Sequence, residues 1–450
     1  MTDAAPNAAP QQGKRNLLQK IEIDSRLLGM IGALVVICLT FQLKTGSDAQ
    51  ATFVLNPLAW LADGRFLTPR NLFNLSIQTA SVAIMATGMV FVIVTRHIDL
   101  SVGAVLATAS AVMGVLQVWL LPKTLGLGIG HPMIAPITIL AGLAAGTAIG
   151  AFNGWLIGYQ RIPAFIVTLG GLLVWRNVGW YLTSGQTLGP LDDKFMLFGG
   201  VEGTLGDTIS WGLGGLAVAS AIWALWRARA DRLRHGFPVK PVWAEFALAA
   251  IAISAIMGFV AVVNAYEIPV GRLRRTFEAR GEALPEGYSE AFGLPISVLI
   301  LVLVAIAMTV IARRTRFGRY IFAAGGNPDA AELSGINTRM LTVKVFALMG
   351  FLCALSAVVA QARLANHTND IGTLDELRVI AAAVIGGTAL SGGIGTIYGA
   401  ILGAVIMQSL QSGMAMVGVD APFQNIIVGL VLVLAVWIDI QYRKRTGEKI

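Results

Sequence analysis

Charge is what this sequence has least of. Asp, Glu, Lys and Arg supply 13% of its 450 residues, about half the roughly 25% of an ordinary soluble domain. So few charged groups cannot clothe a surface of this size in water, which excludes a cytosolic enzyme, a disordered chain, a fibrous protein and a nucleic-acid binder. Cysteine is equally scarce: Cys38 and Cys353 both fall in apolar stretches, and no disulfide framework follows from them. The four histidines, His97, His131, His235 and His367, show no ligand spacing, so no metal site is expected. The GxxxxGK[ST], HExxH, GxSxG and paired-cysteine motifs are all missing, and with them the usual carriers of hydrolytic and redox chemistry. The expectation is a chain that is not an enzyme and holds no cofactor of its own.

What is there is apolar. Hydrophobic residues make up 56%, mean hydropathy is +0.72, and glycine reaches 51 residues, as where membrane helices pack backbone to backbone. The apolar segments are continuous, not alternating, which excludes a transmembrane barrel. The fold class is therefore an all-α, polytopic transmembrane bundle. Lysine and arginine cluster beside the apolar segments: Lys14, Arg15, Lys20 and Arg26; Arg227, Arg229, Arg232, Arg234 and Lys240; Arg313, Arg314, Arg316, Arg319 and Arg339; Arg443, Lys444, Arg445 and Lys449. Basic clusters of this kind stay on the cytoplasmic side.

Spans are expected near 27–43, 75–95, 101–121, 133–159, 163–182, 209–226, 242–264, 292–312, 341–362 and 423–438. Thr68-Pro69 reads as a helix start, with 71–76 as a short interfacial helix. Gly142, Gly146, Gly150 and Gly154 recur every four residues and put one smooth face on their span. The apolar stretch 379–410 is interrupted at Gly386-Gly387 and again at 391–395, which favours two short or broken helices. Counting these as two crossings gives twelve, with ten to twelve as the range, and leaves both termini inside with all four basic clusters. The organisation expected is a disordered cytoplasmic tail (1–26), a membrane domain (27–440) and a basic tail (441–450). The membrane domain contains an extra span pair with a basic tip (209–264) and a cytoplasmic loop (313–340).

Ionisable groups inside a bilayer cost ~2.5–3.5 kcal/mol each. Arg176 is the clearest, either snorkelling or lining a pathway, and Glu245 is expected at an interface. No deep carboxylate of the kind a proton-coupled carrier needs stands out, which points to energy from another subunit. Asp99 is placed to cap a helix near Ser101, and Asp99, Ser101 and Gly103 mark a break between spans, hence a hinge. The segment 316–338 is amphipathic, with Asn327-Pro328 favouring a helix start and Ser334-Gly335 a helix end. It predicts a short helix over 328–334.

Five segments in order carry a resemblance: FLTPRNLFNL (66–75), GMVFVIVTRHIDLSVG (88–103), NGWLIGYQRIPAFIVTLG (153–170), FGRYIFAAGGNPDAAELSGIN (317–337) and VIGGTALSGGIGTIYGAILGA (384–404). Over roughly 66–440 the chain resembles the permease subunit of bacterial ABC sugar importers of the ribose/xylose/galactoside type. The extra span pair and the ending 414–439 are similar to xylose-type members. The resemblance implies inward movement of a monosaccharide, D-xylose first, across the cytoplasmic (inner) membrane by alternating access. It implies a homodimer with two ATPase subunits, which bind the ATP and Mg, and a periplasmic sugar-binding protein. It also implies that 325–336 is the cytoplasmic coupling helix, through Gly325, Gly326, Asn327, Ala330, Ala331, Ser334, Gly335 and Ile336. With the path at the dimer axis, Asn74, Gln78, Asn153, Thr168 and Thr388 are the candidate lining groups, with helix–helix hydrogen bonding as the plain alternative for each. The rival functions are an ion-coupled secondary sugar transporter and a membrane-embedded enzyme.

Overall fold

A computed structural model describes residues 25–49, 57–279 and 281–446. The expected tail thus lies outside the described residues up to residue 24, as do 447–450. Among the described residues there are only helices, turns and isolated bridges. The chain runs through α1 (Ser25–Ala49), α2 (Pro57–Asp63), α3 (Pro69–Val94), α4 (Val102–Leu125, with a π-helical turn at Leu116–Leu120), α5 (Ile134–Gly158), α6 (Ala164–Thr183), α7 (Asp193–Met196), α8 (Gly206–Arg234) and α9 (Val242–Asn264). It continues through α10 (Val270–Ala279), α11 (Ile296–Arg314), α12 (Arg316–Gly326), α13 (Pro328–Leu333), α14 (Thr338–Leu364), α15 (Asp375–Ile385), α16 (Ile397–Met416) and α17 (Ala421–Thr446). Eleven of these are long and apolar enough to cross a membrane. The expected break at 71–76 is absent: Pro69 starts one unbroken helix at Thr68.

Helix α3 is the axis of the bundle. From Thr79 to Val94 only Ser81 is not fully buried, the pattern of a helix apolar on all sides. Its first turns pack Phe73 against Tyr266 and Phe292. At its far end the Val94 carbonyl accepts the Gly393 N–H at 3.0 Å. That second end gathers Arg313, Arg314 and Arg316 near the α11–α12 junction and is called the basic end below.

The glycine row of α5 does what its spacing predicts. A Cβ at Gly146 would strike the Gly350 carbonyl and Ala354, and one at Gly150 the Phe346 carbonyl and Gly350 of α14. The row reaches Gly158, whose neighbour is the Arg339 backbone. Helices α5 and α14 therefore run antiparallel, backbone against backbone.

The crossing between α14 and α16 is broken, and earlier than the glycines suggest. His367 pairs its backbone with Leu188 and lies beside Gly114 of α4. Five residues on, Gly372 lies against Gly103. Those two α4 positions are about 16 Å apart along the helix, so 367–372 descends into the bundle without helical structure. Helix α15 then completes the crossing and turns at Gly386 and Gly387, the latter beside Arg26 of α1. Gly399 of α16 meets Gly386, and Gly403 meets Ala382, so α15 and α16 are an antiparallel pair. The eleven long helices fall within the ten to twelve spans expected, and α15, at eleven residues, is not among them.

Candidate functional site

The basic end is built from caps. The Thr315 hydroxyl accepts the Gly318 N–H at 3.1 Å and starts α12. Asn327 Oδ1 accepts the Ala330 N–H at 3.0 Å and starts α13, with Pro328 in its first turn. Asn337 Oδ1 accepts the Met340 N–H at 2.9 Å and starts α14. Each cap satisfies an N–H that the helix itself cannot. Helix α13 closes with Ser334 Oγ donating to the Ala331 carbonyl at 2.8 Å and with Gly335 at φ 87°. This matches the short helix expected over 328–334, whereas the separate helix α12 lies in the part of the amphipathic segment for which no helix was expected.

The coupling candidates divide by exposure. Ala331 is buried and Ile336 half-buried against the core; Gly326, Asn327, Ala330, Ser334 and Gly335 are exposed. Gly325 is buried where a side chain would collide with the Val94 carbonyl and the Gly393 nitrogen. Two residues here escape a reading by motif. Leu333 is 90% exposed at the tip, an apolar group held out on a short capped helix. Arg96, at φ 64°, donates from Nε to the Gly325 carbonyl and from Nη2 to the Gly326 carbonyl, both at 2.8 Å. It thereby covers the carbonyls left open at the end of α12.

The break between α3 and α4 is a fixed network. Asp99 is buried, and its Oδ1 accepts the Ser101 N–H at 2.8 Å and the Ser101 hydroxyl at 2.6 Å. Burial pushes the Asp99 carboxyl up from its ordinary range, and the bonds from Ser101 oppose that shift. Asn153 Nδ2 reaches Ser101 Oγ at 3.3 Å, Trp175 Nε1 reaches Asn153 Oδ1 at 3.3 Å, and Thr168 Oγ1 donates to the Ile98 carbonyl at 3.3 Å. Gly103 has no room for a Cβ beside the Gly372 carbonyl and Glu376, so it admits the broken crossing.

The five expected lining residues do not share one place. Asn153 and Thr168 hold α4, α5 and α6 together in that network. Thr388 is buried in the basic-end turn, its hydroxyl without a partner among the described residues. Gln78 is bonded across the bundle, Gln408 Nε2 donating to its Oε1 at 2.9 Å. Asn74 lies half-buried one turn earlier on α3. Arg176 clamps the broken crossing, donating from Nη1 to the Asn369 carbonyl at 3.1 Å, the Ile371 carbonyl at 3.5 Å and Thr373 Oγ1 at 3.0 Å. Glu245 pairs with Arg229 at 2.8 Å near the α8–α9 tip. The expected lack of a deep carboxylate is corrected: Asp375 and Glu376, at the start of α15, are both buried, and Asp375 pairs with Arg378 at 3.0 Å. They were missed because 365–378 reads as a polar loop before the apolar stretch.

A family model described as a permease component of the branched-chain amino acid transport system matches residues 71–196 and 205–436. The chain belongs to this permease family. The permease is 34% identical over 439 residues to the xylose transport system permease protein XylH of Escherichia coli K12, covering 98% of this chain and 97% of that protein. It is 35% identical over 384 residues to XylH of Haemophilus influenzae, covering 85% and 92%. It is 31% identical over 389 residues to the ribose import permease protein RbsC of Escherichia coli K12, covering 86% and 91%. No solved structure matches it. Its long apolar helices and its family make it a multi-pass membrane permease.

Proposed function

We propose that this permease moves a monosaccharide, D-xylose first, inward across a bacterial cytoplasmic membrane as the non-catalytic membrane subunit of an ATP-driven importer. The observation that carries the reading is the end-to-end likeness to permeases named for xylose, which takes in the α8–α9 pair. The family's own description names amino acids, but the long matches are to permeases named for sugars. Two ATPase subunits bind ATP and Mg and hydrolyse the nucleotide. A periplasmic binding protein delivers the sugar, and a second permease copy completes the membrane part.

In this reading the basic end is cytoplasmic, since arginines beside spans stay inside. Leu333 and the exposed face of α13 enter a groove of the ATPase. Arg96 passes motion from α12 to the ends of α3 and α4. The ion-coupled alternative gains nothing from Asp375, whose charge is already matched by Arg378. Proteoliposomes holding the permease, its ATPase and its binding protein should take up D-xylose only with ATP inside. Uptake at the same rate without the ATPase would refute the proposal.

A further inference from the structure

The α8–α9 pair carries a pattern that the proposed transport leaves unused. What joins the pair to the rest of the chain lies at one end, where Val263 packs with Phe73 and Phe292 and Gly206 bridges to Gly293. The other end is a tip, 226–246, with five basic residues against two acidic ones, Asp231 and Glu245. The joined end, 202–208 and 264–268, carries Glu202, Asp207 and Glu267 and no lysine or arginine. Positive charge at one end orients a hairpin in a membrane, but orientation needs only the charges. It does not require that they stand among outward-facing aromatic rings, as they do here.

Helix α8 shows how they are set. Ile209, Leu216 and Trp223 recur every seven residues and are all exposed, so they form one outward stripe. Arg227 and Arg234, also seven apart and exposed, continue it past the apolar part. The Arg227 guanidinium stands over the Trp223 ring, 5.1 Å from its centroid, a cation–π contact that fixes the charge beside the ring. Tryptophan marks the edge of the hydrocarbon. Arg227 lies about 6 Å beyond it along the helix, within a headgroup layer about 5–8 Å deep. Trp226, and Trp243 and Phe246 of α9, are exposed around the same tip. A stripe first apolar and then basic repeats the order of an anionic phospholipid, acyl chain and then phosphate. A second copy of the chain is the rival occupant. In a two-fold dimer a patch near the axis meets itself, and two basic tips would repel.

We propose that the α8–α9 tip is a seat for an anionic phospholipid, with the phosphate at Arg227, an acyl chain along Trp223 and Leu216, and Arg234 adding attraction from the water side. The occupant follows from charge. A zwitterionic headgroup gains nothing from a net positive tip, whereas an anionic one gains roughly fivefold in affinity for each basic group near it. The inference needs the chain to be a membrane permease and nothing about its sugar.

The test uses the full chain in bilayer discs of mixed phosphatidylcholine and phosphatidylglycerol. A photoactivatable phosphatidylglycerol should label the 222–246 peptide in preference to the matching phosphatidylcholine, and the preference should shrink as salt rises. R234Q should lower that preference roughly fivefold, and R227Q/R234Q should lower it further, with labelling elsewhere in the chain unchanged. Arg234 is exposed, so R234Q alone covers the case in which the double variant does not insert. Inorganic phosphate should compete no better than chloride at equal ionic strength, because it has no acyl chain to lay along the stripe. Equal labelling by the two lipids, or an unchanged preference in whichever variants insert, overturns the seat. Competition specific to phosphate overturns it in favour of a soluble anion. A tip that neither lipid labels, and that crosslinks to a second chain, overturns it in favour of a dimer contact.

Discussion

Glycine at position 335 shows how much one backbone angle controls. Its φ of 87° is a conformation that side chains rarely adopt, yet nothing lies within 4 Å of where a Cβ would stand. A substitution there is resisted by the chain's own sterics, by ~1–2 kcal/mol, and not by a collision. Asparagine tolerates the left-handed region, so G335N should retain sugar uptake per ATP hydrolysed. G335L should lose uptake while hydrolysis continues, because the turn from α13 into α14 changes direction. Equal ratios of uptake to hydrolysis for both variants would show that the turn does not transmit force. Gly325 behaves differently: backbone atoms of Val94 and Gly393 occupy the space a methyl needs, so substitution there damages the fold itself. Both glycines stand out in the sequence only as members of a motif, and only the folded structure separates an angle from a contact.

Among the elements, the broken crossing depends on a neighbour. Non-helical backbone at membrane depth must have its carbonyls satisfied by the protein, and Arg176 supplies three bonds to 369–373 from α6. Thr183 Oγ1 adds one to Asn369 Oδ1 at 3.1 Å. R176M should lower stability by about 2 kcal/mol, the scale of lost bonds from a charged donor. That would be read as a lower unfolding temperature in detergent, with partial rescue by R176K. An unchanged unfolding temperature in R176M would mean the segment holds itself. The long helices were legible because each carries a full apolar span. The helix start at Asn327 and the helix end at Ser334-Gly335 were legible because those residue types satisfy helix ends, and the start after Thr68 was legible from Pro69 in the first turn, the Thr68 side chain making no capping bond. The broken crossing was not, since 365–378 has the composition of a surface loop and only the approach of α6 makes it interior. Gln408 was hidden likewise, by the apolar run around it, whereas Gln78 stood out.

At the scale of the whole molecule, α8 and α9 form an appendage. They pack on each other, Gly214 against Val260, and most of both faces outward. Their attachment is the bridges Gly206–Gly293 and Glu267–Ala291 and the small cluster of Val263 with Phe73, Ile77 and Phe292. Replacing 207–262 by a short linker should leave ATP-dependent D-xylose uptake in place with a lowered unfolding temperature. Loss of uptake from a protein that still inserts would give the pair a role in transport. The remaining helices converge on one junction. Val94 at the end of α3, Gly393 before α16, and Gly325 and Gly326 of α12 are joined by the Gly393–Val94 bond and the Arg96 clamp. Each of the two long helices leaving that junction carries, half-way up, one of the two bonded glutamines. The arrangement is a pair of rods fastened at one end to the same short piece of chain and tied once more across their middles, so the proposed coupling at α12 would have both rods within one bond of its reach.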